Sequence, residues 1–201
     1  MKTSLPLPMA PTGFTGRLFG QVMETTNTPA YRHTIELIAP AAGYNILEIG
    51  FGTGKMLEMM ADLEPSLVLA GIEPTQTMLD VALGRSGLRH WGGQLDLQLG
   101  DASNLPWKSQ KFDAVAALHC FQFWDQPVRA VSEILRVLKP SGKLVIVLRD
   151  HSRNAPDYLT NSISKSGDEV NVTIALLLEQ GFTTAEVEGE TGTSSVILAK
   201  K

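Results

Sequence analysis

The sequence predicts a doubly wound α/β domain whose mostly parallel, seven-stranded sheet ends in an antiparallel hairpin. Three observations carry this expectation. From Asn45 onward, short apolar runs alternate with longer helical patterns, the signature of βαβ units. The first run leads directly into a glycine loop, Gly50-Phe-Gly-Thr-Gly54, and then into a helix. The last two runs have no helix between them, only the glycine-containing turn Gly189-Glu-Thr-Gly192.

In order, the strands are expected at Asn45–Ile49, Leu67–Ile72, Leu95–Leu99, Phe112–Leu118, Leu144–Leu148, Phe182–Glu188 and Ser194–Ala199. The fifth is apolar throughout, which suits a central strand covered on both faces. The first helix, Lys55 to Leu63, repeats Met56, Leu57, Met59, Met60 and Leu63 at helical spacing. The second begins at or just after Pro74 and carries Met78, Leu79, Val81 and Ala82. A third, Pro127 to Leu138, presents Val128, Val131, Ile134, Leu135 and Leu138 and stops at Lys139-Pro-Ser-Gly142. A fourth spans Glu169 to Gln180 before Gly181, and residues 150–166 read as irregular. Upstream, Phe14, Leu18, Val22 and Met23 form one helical pattern, and Thr28, Tyr31, Ile35, Leu37 and Ile38 a second, ending before Pro40. Residues 1–44 are therefore expected to be a helical segment serving as a substrate lid, and residues 45–201 the main domain.

Composition narrows the function. The chain has 201 residues, 43% hydrophobic and 19% charged, enough for one core without disulfides or structural metal. Its net charge of -4 and lack of a basic run argue against nucleic acid as a partner. Cys120 is the single cysteine, so neither a disulfide within the chain nor a cysteine metal cluster can form, and no metal site is expected. The segment Met1 to Thr12 has no continuous apolar core, so it reads as neither a signal peptide nor an anchor. A soluble, cytoplasmic protein is expected.

In a doubly wound sheet, ligands bind beyond the carboxyl ends of the strands. The glycine loop lies there, and its spacing can be tested. A phosphate-binding loop needs glycine where Ile49 stands and Ser or Thr where Met56 stands. A dinucleotide fingerprint needs its third glycine at Lys55, one residue after Gly54. Glu73 ends the second strand, 19 residues after Gly54, where a carboxylate can accept hydrogen bonds from both hydroxyls of an adenosine ribose. Asp101, after the third strand, can accept from an adenine amino group, with Ala102 leaving room for the ring.

Taken in order, Glu48-Ile-Gly-Phe-Gly-Thr-Gly54, Gly71-Ile-Glu-Pro-Thr75 with Met78-Leu79, Gly100-Asp-Ala102 with Leu105-Pro106, Phe112-Asp-Ala-Val115 and Arg136-Val-Leu-Lys-Pro140 resemble the motifs of class I S-adenosylmethionine-dependent methyltransferases. The broad group that includes ubiquinone and menaquinone biosynthesis methyltransferases is the nearest likeness, over residues 45–149. Ser141 departs from the family's usual second glycine.

The resemblance implies a Rossmann-like fold with S-adenosylmethionine as methyl donor and S-adenosylhomocysteine as product. It implies that Gly50, Phe51, Gly52 and Gly54 hold the methionine part of the cofactor, Glu48 positions the loop and the amino end, Glu73 with Pro74 takes the ribose, and Asp101, Ala102 and Met78 surround the adenine. Leu118, at the end of the fourth strand, completes the set. The expected acceptor is a small molecule with an apolar or aromatic body, since Phe51, Trp107, Phe121, Phe123 and Trp124 can supply pocket walls, although most of the five are expected to be core packing. His119 is the first candidate for a general base and His151 the second. Two other functions remain open: an NAD-dependent oxidoreductase, and a non-catalytic partner protein that binds an adenosyl cofactor.

Overall fold

The computed structural model describes residues 13–149, 167–191 and 194–201, with 13–23 and 167–168 as backbone only. The elements are α1 (Gly13–Ile38), β1 (Asn45–Ile49), α2 (Lys55–Leu63), β2 (Val68–Glu73), α3 (Gln76–Gly84), α4 (Ser86–Arg89), β3 (Gln94–Leu99), β4 (Phe112–Leu118), a 3₁₀ turn (Phe121–Phe123), α5 (Pro127–Val137), β5 (Leu138–Arg149), α6 (Gly167–Gln180), β6 (Thr184–Glu190) and β7 (Ser194–Lys200). The seven strands lie in the order β3-β2-β1-β4-β5-β7-β6. Strands β1 to β5 pair in parallel, and β7 is antiparallel to both β5 and β6. The order reverses between β1 and β4, which places a crevice at their carboxyl ends.

Alternation explains how the sheet buries both faces. Leu47, Ile49, Val115, Ala117, Leu144, Ile146, Leu148 and Ile197 share one core with Val131 and Ile134 of α5 and Leu177 of α6. Their neighbours Ile46, Ala114, Ala116, Val145, Val147, Val196 and Leu198 point the other way, onto Ile35 and Ile38 of α1, Met56, Leu57 and Met60 of α2, and Leu79 and Ala82 of α3. A period of two along each strand thus feeds two layers of helices.

The N-terminal region differs from the expected pair of patterns. It is one helix of 26 residues with Pro29 inside it. The stripe of Phe14, Leu18 and Val22 falls where only backbone is described, whereas Ala30, Ile35 and Ile38 are buried in the core. Lys143 caps the end of this helix, donating to the carbonyls of Leu37 and Ile38 at 3.0 and 3.2 Å.

Other boundaries move as well. Leu138 leaves α5 and opens β5 because it pairs with Phe112; the register then jumps to Ala114 against Lys143, and the intervening residues include Ser141 at φ 62°. Gly189 lies within β6, at a register shift, instead of in the turn. Gly192, His151 and residues 150–166 lie outside the described residues.

Candidate active site

A cavity of about 380 Å³ opens at the carboxyl ends of β1, β2 and β4. Its floor is the glycine loop, which runs between β1 and α2 with Gly50, Gly52 and Gly54 all at positive φ. Two of these glycines do different work. A Cβ at Gly52 would meet no protein atom within 4 Å, and Gly52 lines the cavity, so its backbone faces ligand space. A Cβ at Gly54 would lie 3.0 Å from that of Ala82 and 3.2 Å from Leu88. Gly54 is not among the cavity residues; it lets α2 pack against α3 and α4.

Glu73, at the end of β2, is buried and reaches back to the loop. One carboxylate oxygen accepts from the Gly52 N–H at 3.1 Å, and the other accepts from the Thr75 N–H at 3.1 Å and the Thr75 hydroxyl at 2.8 Å. Burial raises its pKa above the ordinary carboxylate value, and these hydrogen bonds work in the opposite direction. Glu48, one residue before the end of β1, is buried in the same wall, and its Oε2 has no hydrogen-bond partner among the described residues. Burial first, and then the charge of Glu73, push the Glu48 carboxyl well above its usual range. Tyr31 of α1 also lines this region, and its phenol is pushed up by burial and by the Glu48 charge.

The opposite wall begins where β4 ends. Leu118 and Ala102 are buried cavity residues, Pro74 and Met78 line the side near α3, and Asp101 stands exposed at the rim. The Asp101 Oδ1 accepts from the Ser103 N–H at 2.8 Å and from the Ser103 hydroxyl, which fixes the carboxylate in a local turn. His119 holds φ 52°, a left-handed conformation uncommon outside glycine, while its N–H donates to the Val147 carbonyl at 2.9 Å. Its Nδ1 is buried without a partner among the described residues. Burial, assisted by the charge of Arg149, lowers its pKa to about 4, so the imidazole is neutral at physiological pH.

Of the expected aromatic walls, Phe123 and Trp124 reach the cavity, and Phe51 lines it although its ring packs beneath Gly71. Trp107 and Phe121 belong to the core instead; the Trp107 indole meets Phe112 edge-on and donates to Asp96 at 2.6 Å. Cys120 donates to the Ile49 carbonyl at 3.1 Å, and burial pushes its thiol up, away from the reactive thiolate.

The family model described as a methyltransferase domain matches residues 47–146. The uncharacterized methyltransferase YdaC of Bacillus subtilis is 28% identical over 149 residues, covering 73% of this chain and 78% of the relative. The chain belongs to the class I methyltransferase family. A demethylmenaquinone methyltransferase of Renibacterium salmoninarum is 30% identical over 125 residues, or 62% of this chain and 49% of that protein's length. The fold matches a SAM-dependent methyltransferase from Aquifex aeolicus with a TM-score of 0.71, at 16% identity and over 85% of this chain and 88% of that one. Three of the motifs, those around Glu48, Glu73 and Asp101, thus lie on the strand ends and loops that build the cavity.

Some cavity residues had no signal in the sequence. Asn27 and Tyr31 come from α1, where Tyr31 reads simply as part of an apolar stripe, and Gln126 and Ala130 come from the start of α5. Tyr31 at helical spacing just before a strand was the available clue; Asn27 offered none.

Proposed function

We propose that this methyltransferase carries a methyl group from S-adenosylmethionine to a small-molecule acceptor with an apolar or aromatic body. The observation that carries this reading is the buried Glu48 carboxyl, with one oxygen that has no partner among the described residues, set in one wall with Glu73 and the Gly52 backbone. A carboxylate pair of this kind suits a ligand that brings both a cation and vicinal hydroxyls. Glu48 would take the ammonium group, Gly50 and Gly52 the methionyl chain, Glu73 the ribose, and Met78, Asp101 and Ala102 the adenine. When bound, the cofactor supplies an already activated methyl group.

The protein's own task is then to orient the acceptor and exclude water. Phe123 and Trp124 would flank the acceptor's apolar body. His119, held neutral, can accept a hydrogen bond from an acceptor hydroxyl at Nδ1, and the nearby Arg149 charge favours an acceptor that loses a proton over one that carries a positive charge. The N-terminal helix would form the remaining wall.

Thermal unfolding with S-adenosylmethionine, S-adenosylhomocysteine and NAD, each added separately, tests the cofactor. A ligand at a hundred times its Kd adds about 2.7 kcal/mol, which for a domain of this size raises Tm by roughly 5 to 11 °C. The expected result is such a shift with both adenosyl compounds and none with NAD. A shift with NAD alone would overturn the proposal.

A further inference from the structure

Helix α1 is held at its two ends by different means. After Pro29, residues Ala30, Ile35 and Ile38 are buried in the core, and Lys143 binds the last carbonyls. Before Pro29, the described side chains are polar, and one contact dominates. Both carboxylate oxygens of Glu24 accept from Arg85, at 2.8 Å from Nη1 and 3.0 Å from Nη2. The same guanidinium donates through Nε to Glu58 of α2 at 3.0 Å and through Nη1 to the carbonyl of Thr53, inside the glycine loop, at 3.1 Å. The Glu24 and Arg85 side chains keep only 19% and 15% of their exposure. One cation therefore joins α1, α2 and the loop that floors the cavity, with 61 residues separating it from Glu24.

Pro29 lies inside the helix and is exposed on its outer side. It has no N–H for the carbonyl four residues earlier, so the ladder is one bond short between the two halves of α1. Asn27 sits on the half that Arg85 holds and lines the cavity, whereas Tyr31 sits on the half fixed by the core. A second, longer bond steadies Asn27, whose Oδ1 accepts from Arg149 at 3.3 Å.

We propose that Arg85 is a positioning residue for this active site: by clamping Glu24 to the glycine loop it latches the first half of α1, hinged at Pro29, so that Asn27 closes the cavity over the cofactor. The inference rests on reading the cavity as the adenosyl site, and it adds the device that holds that site shut. Charge and geometry agree within the cluster. Burial raises the Glu24 carboxyl, but the bonds from Arg85 and Thr53 and the neighbouring positive charges outweigh it and leave the pKa below the ordinary value. The latch is thus fully charged at physiological pH, and its bidentate geometry is one that lysine cannot reproduce.

The test measures S-adenosylhomocysteine binding by calorimetry, together with Tm without ligand, for wild type, Glu24→Gln, Glu24→Ala, Arg85→Lys, Arg85→Ala and the Glu24→Ala/Arg85→Ala pair. Each alanine variant should weaken binding about tenfold, and the pair should be no weaker than Arg85→Ala alone, since Arg85→Ala already removes the contact that Glu24→Ala removes. Arg85→Lys should recover only part of the affinity. Adding Pro29→Ala to Glu24→Ala should restore some binding, because a continuous helical ladder holds the segment without the latch; affinity losses that merely track the Tm of the unliganded variants would overturn the latch in favour of a purely structural role. If Arg85→Ala fails to fold, Glu24→Gln carries the test, since it keeps the side chain's shape and removes its charge. Unchanged affinity in the Glu24 variants, or fully additive losses in the pair, would overturn the latch. Failure of wild type to bind the ligand would instead overturn the assignment of the cavity.

Discussion

The two ends of the parallel sheet treat charge in opposite ways. At the amino ends of the strands several charges are paired within the protein. Asp113 accepts from the Asn45 N–H at 2.8 Å and from Lys139 at 2.7 and 2.8 Å, which ties the start of β1 to β4 and β5. Arg136 donates to the carbonyls of Leu105 and Trp107 while pairing with Glu133, and Lys201 donates to the carbonyls of Leu135 and Leu138. At the carboxyl ends, Glu48 keeps a buried oxygen without a partner among the described residues, and His119 a buried nitrogen. One end uses polar groups to fix the fold; the other keeps them in reserve for a ligand, at a cost in stability.

The comparison can be broken most forcefully at Glu73. Glu73→Ala should weaken S-adenosylhomocysteine binding about a hundredfold, as expected when charge-assisted hydrogen bonds are lost, and calorimetry on protein with an unchanged circular dichroism spectrum would show it. At the other end, Asp113→Ala should lower unfolding stability by roughly 2 kcal/mol, because the part-buried Asn45 N–H loses its acceptor and Lys139 its partner. Its ligand affinity should stay at the wild-type level. A large affinity loss there would show that the two ends are not independent.

Glu48→Gln sharpens the contrast, because it should change stability and binding in opposite directions. The folded pKa of Glu48 is raised, so its contribution to stability is fully present below the unfolded value and is lost as pH rises through the folded one. Wild type without ligand should therefore lose stability with rising pH in a way that the glutamine variant does not. The variant should have the higher Tm in mildly alkaline buffer, yet bind the ligand about tenfold more weakly, the size of one charged hydrogen bond.

His119 should show the smallest effect and the opposite sign. Its folded pKa is depressed to about 4, so its stabilising contribution is present above the ordinary histidine value and is lost as pH falls from there toward 4. His119→Ala should flatten that acid limb in thermal unfolding and lower turnover while changing cofactor affinity less than threefold. A pH-rate profile unaltered by the substitution would remove His119 from the chemistry.

Much of the arrangement was legible because its signals are local. The alternation along Ile46, Leu47 and Ile49 and the helical spacing of Met56, Leu57 and Met60 identify strand and helix within a few residues, and the glycines between them mark the loop. The boundary at Leu138 was not legible, because it depends on pairing with Phe112, far away in the chain. Gly54 reads from sequence like its two neighbours; only the approach of Ala82 and Leu88 shows that it serves helix packing. The same holds for the aromatic residues, where Trp107 and Trp124 carry equal sequence signals but only Trp124 reaches the cavity.

The sequence by itself determined the order of the seven strands along the chain, the glycine loop, and the carboxylates Glu48, Glu73 and Asp101 at the ends of successive strands. Those features follow from short-range periodicity and from the rule that puts ligands at strand carboxyl ends. Tertiary structure decided which oxygen of Glu48 stays unpartnered, which aromatic rings face the cavity, and how α1 is joined to the loop through Arg85. Each of those depends on the path of the chain between distant segments, and a local pattern carries no information about which partner that path will bring within 3 Å.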